Sequence, residues 1–200
     1  MGTNDLHIAY FQTVDNNKDI AKTIVAFSNT SGGVLYIGKN SNGKVIGVFP
    51  TLELERLSNI LSLHTIGTLN FKINQLEEKS KLFIELIISE SEEKGVKFVD
   101  VGSKEKSTYI FDGEKSILAP HLQVLAWKFQ SINSIVPERI AKDENDLLKL
   151  IKENPGITIT QAQKKSNLTI AQFEYNVVRL INWKLVCVKT SNNGSFLEVL

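Results

Sequence analysis

The chain has 200 residues, enough for one large domain or two small ones. Hydrophobic residues make up 42% and charged residues 22%, an ordinary globular composition that excludes a disordered chain. The net charge of +1 gives no pointer to nucleic acid by composition alone.

Apolar runs such as Leu82–Ile88 are far too short to span a bilayer, so no membrane role is expected. Met1-Gly2-Thr3-Asn4-Asp5 has neither the basic nor the apolar region of a secretory signal. Gly2 opens no myristoylation motif, because Leu6 stands where Ser or Thr is needed. The single Cys187 cannot close an internal disulfide and fits a reducing, cytoplasmic compartment as a small buried residue.

In chain order, Ile8–Val14 reads as a short strand. Asp19–Ser28 carries apolar residues at helical spacing, with Asp19 at the positive end of the helix dipole. Asn29-Thr30-Ser31-Gly32-Gly33 ends that helix and Val34–Gly38 is a strand. Asn40-Ser41-Asn42-Gly43 predicts a hairpin turn into a partner strand, Lys44–Val48. A helix is expected over Thr51–Leu63. Strands are expected over Leu69–Leu76, Leu82–Ser89, Val96–Val101 and Thr108–Phe111, followed by a turn at Asp112-Gly113. Pro120 opens a helix to about Phe129. Residues 1–134 therefore read as an α+β domain on a mixed or antiparallel sheet, and 135–142, with Pro137 and mixed charges, as a linker.

Residues 143–200 read as a second domain. Asp143–Lys152 is an amphipathic helix stopped by Asn154-Pro155-Gly156. Ile157–Ile159 is extended. Thr160-Gln161-Ala162-Gln163 matches a capping box opening a short helix, and Thr169-Ile170-Ala171-Gln172 a second one opening a helix to about Asn182. Ile170, Phe173, Val177, Leu180 and Ile181 form its expected core stripe. Leu185–Lys189 and Ser195–Val199 make a hairpin. Three helices and a hairpin in this order resemble a winged helix-turn-helix. Residues 1–136 hold 14 basic and 15 acidic residues, whereas 137–200 hold 9 and 7. If the module binds DNA, the helix opened by Thr169 enters the major groove. Gln172 and Asn176 would then read base edges, while Lys164, Lys165, Arg179, Lys184 and Lys189 meet phosphates. A merely solvated helix face explains the same polar residues.

The helix ending Ala26-Phe27-Ser28-Asn29-Thr30, the Gly32-Gly33 pair and the strand ending Ile37-Gly38 resemble the Schlafen-type AlbA-like DNA-binding domain. Asn42-Gly43-Lys44-Val45-Ile46-Gly47 and Thr108-Tyr109-Ile110-Phe111-Asp112-Gly113 match its later hairpin and closing strand. The resemblance spans residues 8–130 and implies an AlbA-like mixed sheet, often fused to a winged helix in bacterial transcriptional regulators. It singles out Asn29, Thr30, Gly32 and Gly33, although a helix stop with close packing needs those residue types without any ligand.

The first strand departs from the family. Phe11 matches the Phe of the family's Glu-Phe-Lys, but Tyr10 replaces the Glu and Gln12 the Lys. Lys39-Asn40-Ser41-Asn42 has no carboxylate where Schlafen ribonucleases carry one, which leaves Asp5 alone. A metal-dependent nuclease needs clustered carboxylates, so the reading is a non-catalytic domain with no metal. No cofactor is expected: Gly32-Gly33 lacks the rest of a P-loop, and His7, His64 and His121 lie far apart in sequence. The expected function is a DNA-binding transcriptional regulator, with duplex DNA as partner and a homodimer as its form. A Schlafen-type RNA-processing nuclease and a protein-interaction or dimerisation module are the alternatives.

Overall fold

A helix that is apolar nearly all round must be buried nearly all round. Helix α1 (Lys18–Asn29) obeys this: every residue from Thr23 to Asn29 is buried. The computed structural model describes residues 7–15, 18–130, 135–191 and 194–200. It divides into two units, Met1–Leu118 and Ala119–Leu200.

The first unit runs β1 (Ile8–Phe11), α1, β2 (Gly33–Ile37), α2 (Pro50–His64), β3 (Thr65–Ile66), β4 (Phe71–Glu78), β5 (Lys81–Ile88), β6 (Lys97–Val99), β7 (Lys106–Ser107), β8 (Tyr109–Phe111) and β9 (Ser116–Leu118). Its main sheet is mixed, in the order β1-β2-β5-β4, with β1 parallel to β2 and the other pairs antiparallel. Alternation along the strands sends Leu35, Ile37, Ile84, Leu86 and Ile88 into one core with Ile24 and Phe27 of α1 and Leu57 of α2. The opposite face keeps a polar and aromatic row in register, Tyr10–Tyr36–Glu85–Asn74.

The end of α1 is latched by side chains. Asn29, 2% exposed, donates through Nδ2 to the carbonyls of Val96 (2.8 Å) and Tyr109 (3.0 Å). Its Oδ1 accepts from the amides of Gly95 (3.0 Å) and Val96 (2.9 Å). Those four bonds fill the capacity of an amide side chain. Thr30 Oγ1 donates to the Ala26 carbonyl and accepts from the Phe111 amide at 3.1 Å. Lys94 Nζ donates to the carbonyls of Asn29 and Thr30, a cation at the negative end of the helix. Gly32 has φ +78, and a Cβ there would lie 2.6 Å from the Ile88 carbonyl oxygen; one on Gly33 would lie 2.6 Å from the Phe27 ring. The motif is thus the joint between helix, sheet and the 95–111 segment.

The second unit runs α3 (His121–Lys128), α4 (Lys142–Glu153), α5 (Ile159–Lys165), α6 (Ile170–Asn182), β10 (Val186–Ser191) and β11 (Gly194–Val199). Leu122 and Ala126 of α3 share its core with Leu147, Ile151, Phe173, Val177, Leu180 and Leu197. This moves the boundary expected at residue 134. Leu122 and Ala126 sit four apart on one helix face, and burying them binds α3 to the second unit. The supposed linker, 135–142, lies within that unit, where Ile140 packs against its core.

Other expectations shift for local reasons. The strand expected to Val14 ends at Phe11. The turn after Asn40 forms, with Gly43 N bonded to Asn40 O at 2.9 Å, but Lys44–Val48 makes no regular strand: besides the bridge between Lys39 and Val45, its amides at Ile46 and Gly47 both bond to Gly38 O and that of Val48 to Leu82 O. Gly38 and Gly47, both at positive φ, bend the ladder away there. Strands β3 and β9, two and three residues long, are too short to show alternation. Of the loop expected over 190–194, residues 192 and 193 lie outside the described residues, and Thr190, Ser191 and Gly194 extend the hairpin strands.

Replacing Asn29 by Ala strands two buried amides and two carbonyls at once. We expect a loss of roughly 3 kcal/mol in urea unfolding followed by circular dichroism. Faster hydrogen exchange at the Gly95 and Val96 amides should accompany it. A loss below about 1 kcal/mol would show that the latch is dispensable.

Candidate nucleic-acid interface

Helices α5 and α6 begin on the same device. Thr158 Oγ1 accepts from the Gln161 amide (3.2 Å) while Gln161 Oε1 accepts from the Thr158 amide (3.1 Å). Thr169 and Gln172 repeat this at 3.3 and 3.1 Å. Each box satisfies two amides that a helix start would leave unpaired. The second box stands where the sequence places it. The first starts two residues before the expected Thr160–Gln163, because the extended segment ends at Thr158, which bridges to Phe196. Thr160 lies inside α5, and Gln163 Nε2 donates instead to the Leu168 carbonyl.

Residues 166–168 turn the chain between the helices, with Asn167 at φ +56, a conformation Asn tolerates. Lys184 (φ +58) closes α6: its amide bonds to Ile181 O and the Leu185 amide to Leu180 O, a Schellman pair. The hairpin β10–β11 follows directly.

The expected contact residues divide. Lys164 and Lys184 are exposed and have no ion-pair partner among the described residues. Lys165 is exposed but donates to Asn154 Oδ1 at 2.8 Å and lines a groove with Asp143, Asp146 and Glu153, surroundings that oppose a phosphate. Lys189 stands 4.0 Å from Glu198 across the hairpin. Thr169 and the amide oxygen of Gln172 are committed to the cap, while both residues stay exposed.

Two expected contacts are corrected. Asn176 is 7% exposed and faces the core, because it lies three residues after the buried Phe173 on the same side of α6. Arg179 is turned inward. Its Nη1 stands 2.9 Å from Oε1 of the fully buried Glu144, an ion pair without aligned hydrogen-bond geometry. Its guanidinium lies 4.6 Å from the Trp183 ring and 5.3 Å from the Tyr175 ring, and it donates to the Tyr175 hydroxyl. Glu144 Oε2 also accepts from the Ala141 amide at 2.8 Å, so this pair ties the start of α4 to α6. The core stripe changes too: Ile170 is 65% exposed, Ile181 half-buried, and Val178 buried.

Tyr175, which lies away from the core stripe of α6, is 57% exposed and is the large aromatic of its open face. Sequence reasoning missed two features. One is the pairing of Glu144 with Arg179. The other is the open sheet face of the first unit, where Tyr10 stacks on Tyr36 (5.7 Å) and Lys39 Nζ lies 4.1 Å from the Tyr36 ring and 4.4 Å from that of Phe83. Burial, aided by the hydrogen bond to Glu85, pushes the Tyr36 phenol up. The spacing of two between Ile8 and Tyr10 and between Val34 and Tyr36, which puts each pair on one face of its strand, was the available signal.

Tyr10, expected to replace a Glu, is in that stack, and in the carboxylate-free segment Lys39-Asn40-Ser41-Asn42 the Oδ1 of Asn40 accepts from the amides of Asn42 and Lys44, shaping a turn. Asp5 lies outside the described residues. Among the described residues no three His, Cys, Asp or Glu side chains converge as metal ligands. His7 packs between Phe27 and Phe111, His64 meets the Val99 carbonyl at 2.7 Å, and His121 lies 3.4 Å from Glu174. Burial raises the Cys187 thiol, the opposite of an activated thiolate. No helix among the described residues is long and apolar enough to cross a membrane.

Residues 5–119 match the family model "Schlafen, AlbA_2". The chain belongs to this family. Its AlbA_2 domain coincides with the first structural unit. Membership suggests nucleic-acid binding. A structural neighbour is the N-terminal domain of an ATP-dependent DNA helicase RecG-related protein from Nitrosomonas europaea, at 18% identity and TM-score 0.36 over 52% of this chain and 72% of that one. The DIP2311 protein from Corynebacterium diphtheriae aligns over 98% of this chain at 11% identity and TM-score 0.50, a likeness of fold. This chain spans about a third of that protein, 34% of its length. No curated protein matches the sequence.

Arg179→Met leaves the Glu144 carboxylate buried and unpaired. We expect it to destabilise the second unit by about 3 kcal/mol, read from the fluorescence of Trp127 and Trp183 during urea unfolding. Arg179→Met combined with Glu144→Leu should recover most of that loss. Equal stability of the single variant and the wild type would remove the pair from the account.

Proposed function

We propose that this AlbA_2 protein is a duplex-DNA-binding transcriptional regulator whose second unit is a winged helix-turn-helix acting from a homodimer. The observation that carries this reading is the pair of capping boxes at Thr158 and Thr169. They set α5 and α6 across a short turn and leave the first half of α6 exposed at Ala171, Gln172 and Tyr175, with Lys164 and Lys184 at the flanks, neither with an ion-pair partner among the described residues. A helix of this kind enters the major groove by its N-terminal residues. The hairpin β10–β11 serves as the wing. In this reading the AlbA_2 domain is non-catalytic and assists nucleic-acid binding or dimerisation, because Tyr10 stands where the resemblance puts a Glu and Lys39-Asn40-Ser41-Asn42 carries no carboxylate.

Phosphate contacts release counterions, so they are measured by salt dependence. Lys164→Ala/Lys184→Ala should weaken binding to a random duplex in fluorescence polarisation and flatten the slope of log K against log salt by about 1.8, roughly 0.9 per lost contact. Its unfolding midpoint should match the wild type. Absence of binding to any duplex at low salt would sink the proposal. Magnesium-dependent cleavage of transfer RNA, lost in Asp5→Asn, would overturn the non-catalytic assignment in favour of a Schlafen-type nuclease.

A further inference from the structure

The chemistry left on the open face of α6 restricts what it can recognise. The commonest base-specific contact in a major groove is a guanidinium or ammonium bonded to the O6 and N7 of guanine. Arg179 is the one basic residue in α6, and it is held by Glu144, Trp183 and Tyr175. Asn176, the amide that could read adenine from the helix centre, faces the core. The exposed groups that remain are the methyl of Ala171, the ring of Tyr175 one turn later, the Ile170 side chain at the helix start, and the Gln172 amide nitrogen.

Apolar side chains in a major groove meet the C5-methyl of thymine, which G·C pairs lack, whereas an amide N–H₂ donates alike to thymine O4, adenine N7 and the guanine acceptors. The flanks favour a negatively charged occupant: Lys164 and Lys184 have no ion-pair partner among the described residues, and the acid within α6, Glu174, faces His121 of α3 at 3.4 Å. We infer that α6 reads A·T base pairs through thymine methyl groups, not guanine through a basic side chain. This rests on the duplex-DNA reading above and specifies its ligand.

The test uses the full chain and changes the DNA before the protein. A random duplex pool is enriched by rounds of binding, then re-synthesised three ways: unmodified, with deoxyuridine for thymidine, and with 7-deazaguanine for guanine. Each thymine methyl taken out of water contributes on the order of fourfold in affinity. The deoxyuridine pool should therefore bind at least about fourfold more weakly, and the 7-deazaguanine pool within about twofold of the unmodified one. Tyr175→Ser, a change at an exposed position, should erase the difference between thymidine and deoxyuridine while duplex binding at low salt persists.

Duplex binding that is indifferent to the methyl, or that falls with 7-deazaguanine, overturns the A·T assignment and leaves the DNA-binding reading standing. Failure to bind any duplex overturns both. In that case a dimer that dissociates in Tyr175→Ser would give the exposed face of α6 to a second copy of the chain.

Discussion

Asn29 has four hydrogen-bonding positions on its side chain, and the AlbA_2 domain uses all of them. A buried amide is costly unless every position is filled. By filling them with backbone groups of residues 95, 96 and 109, the domain obliges the segment that carries β6, β7 and the start of β8 to pack against the end of α1. Thr30 extends the grip to Phe111, and Gly32 and Gly33 let the next strand start without a Cβ colliding with Ile88 or Phe27. The residues that mark the family here are thus consumed by architecture. Asn29 has no side-chain hydrogen-bonding position left over, and the Thr30 hydroxyl has spent its proton.

The second unit follows the same logic with charge. Glu144 is fully buried at the start of α4, and its carboxylate is tolerable because Arg179 reaches it from α6 and the Ala141 amide meets its second oxygen. A single unpaired carboxylate there would cost several kcal/mol. The arrangement also decides what the surface can offer. An arginine that sequence reasoning assigns to phosphate is spent on joining two helices, and the exposed face of α6 is reduced to small, apolar and amide groups flanked by two lysines.

The two halves of the molecule were legible to different degrees. Helices α1, α4 and α6 announce themselves through periodic apolar residues, and the Thr169 box through its Thr-x-x-Gln spacing, because these are local effects between residues three and four apart. The first box was misplaced because the same spacing occurs in two overlapping frames, Thr158–Gln161 and Thr160–Gln163. The choice between them depends on where the extended segment pairs with Phe196, far along the chain. The attachment of α3 was invisible for a similar reason: Leu122 and Ala126 would suit either core.

The sequence by itself determined the mixed α+β character, the AlbA_2 motif and the order of three helices and a hairpin, since each follows from spacing, glycine placement and capping within a few residues. The tertiary structure alone decided which polar residues remain for a partner. Whether Arg179, Asn176 and Lys165 face solvent or other side chains depends on Glu144, Phe173 and Asn154. No local pattern encodes the approach of Glu144 to Arg179 or of Asn154 to Lys165, and a helical pattern alone does not say which flank of a stripe its neighbours will cover.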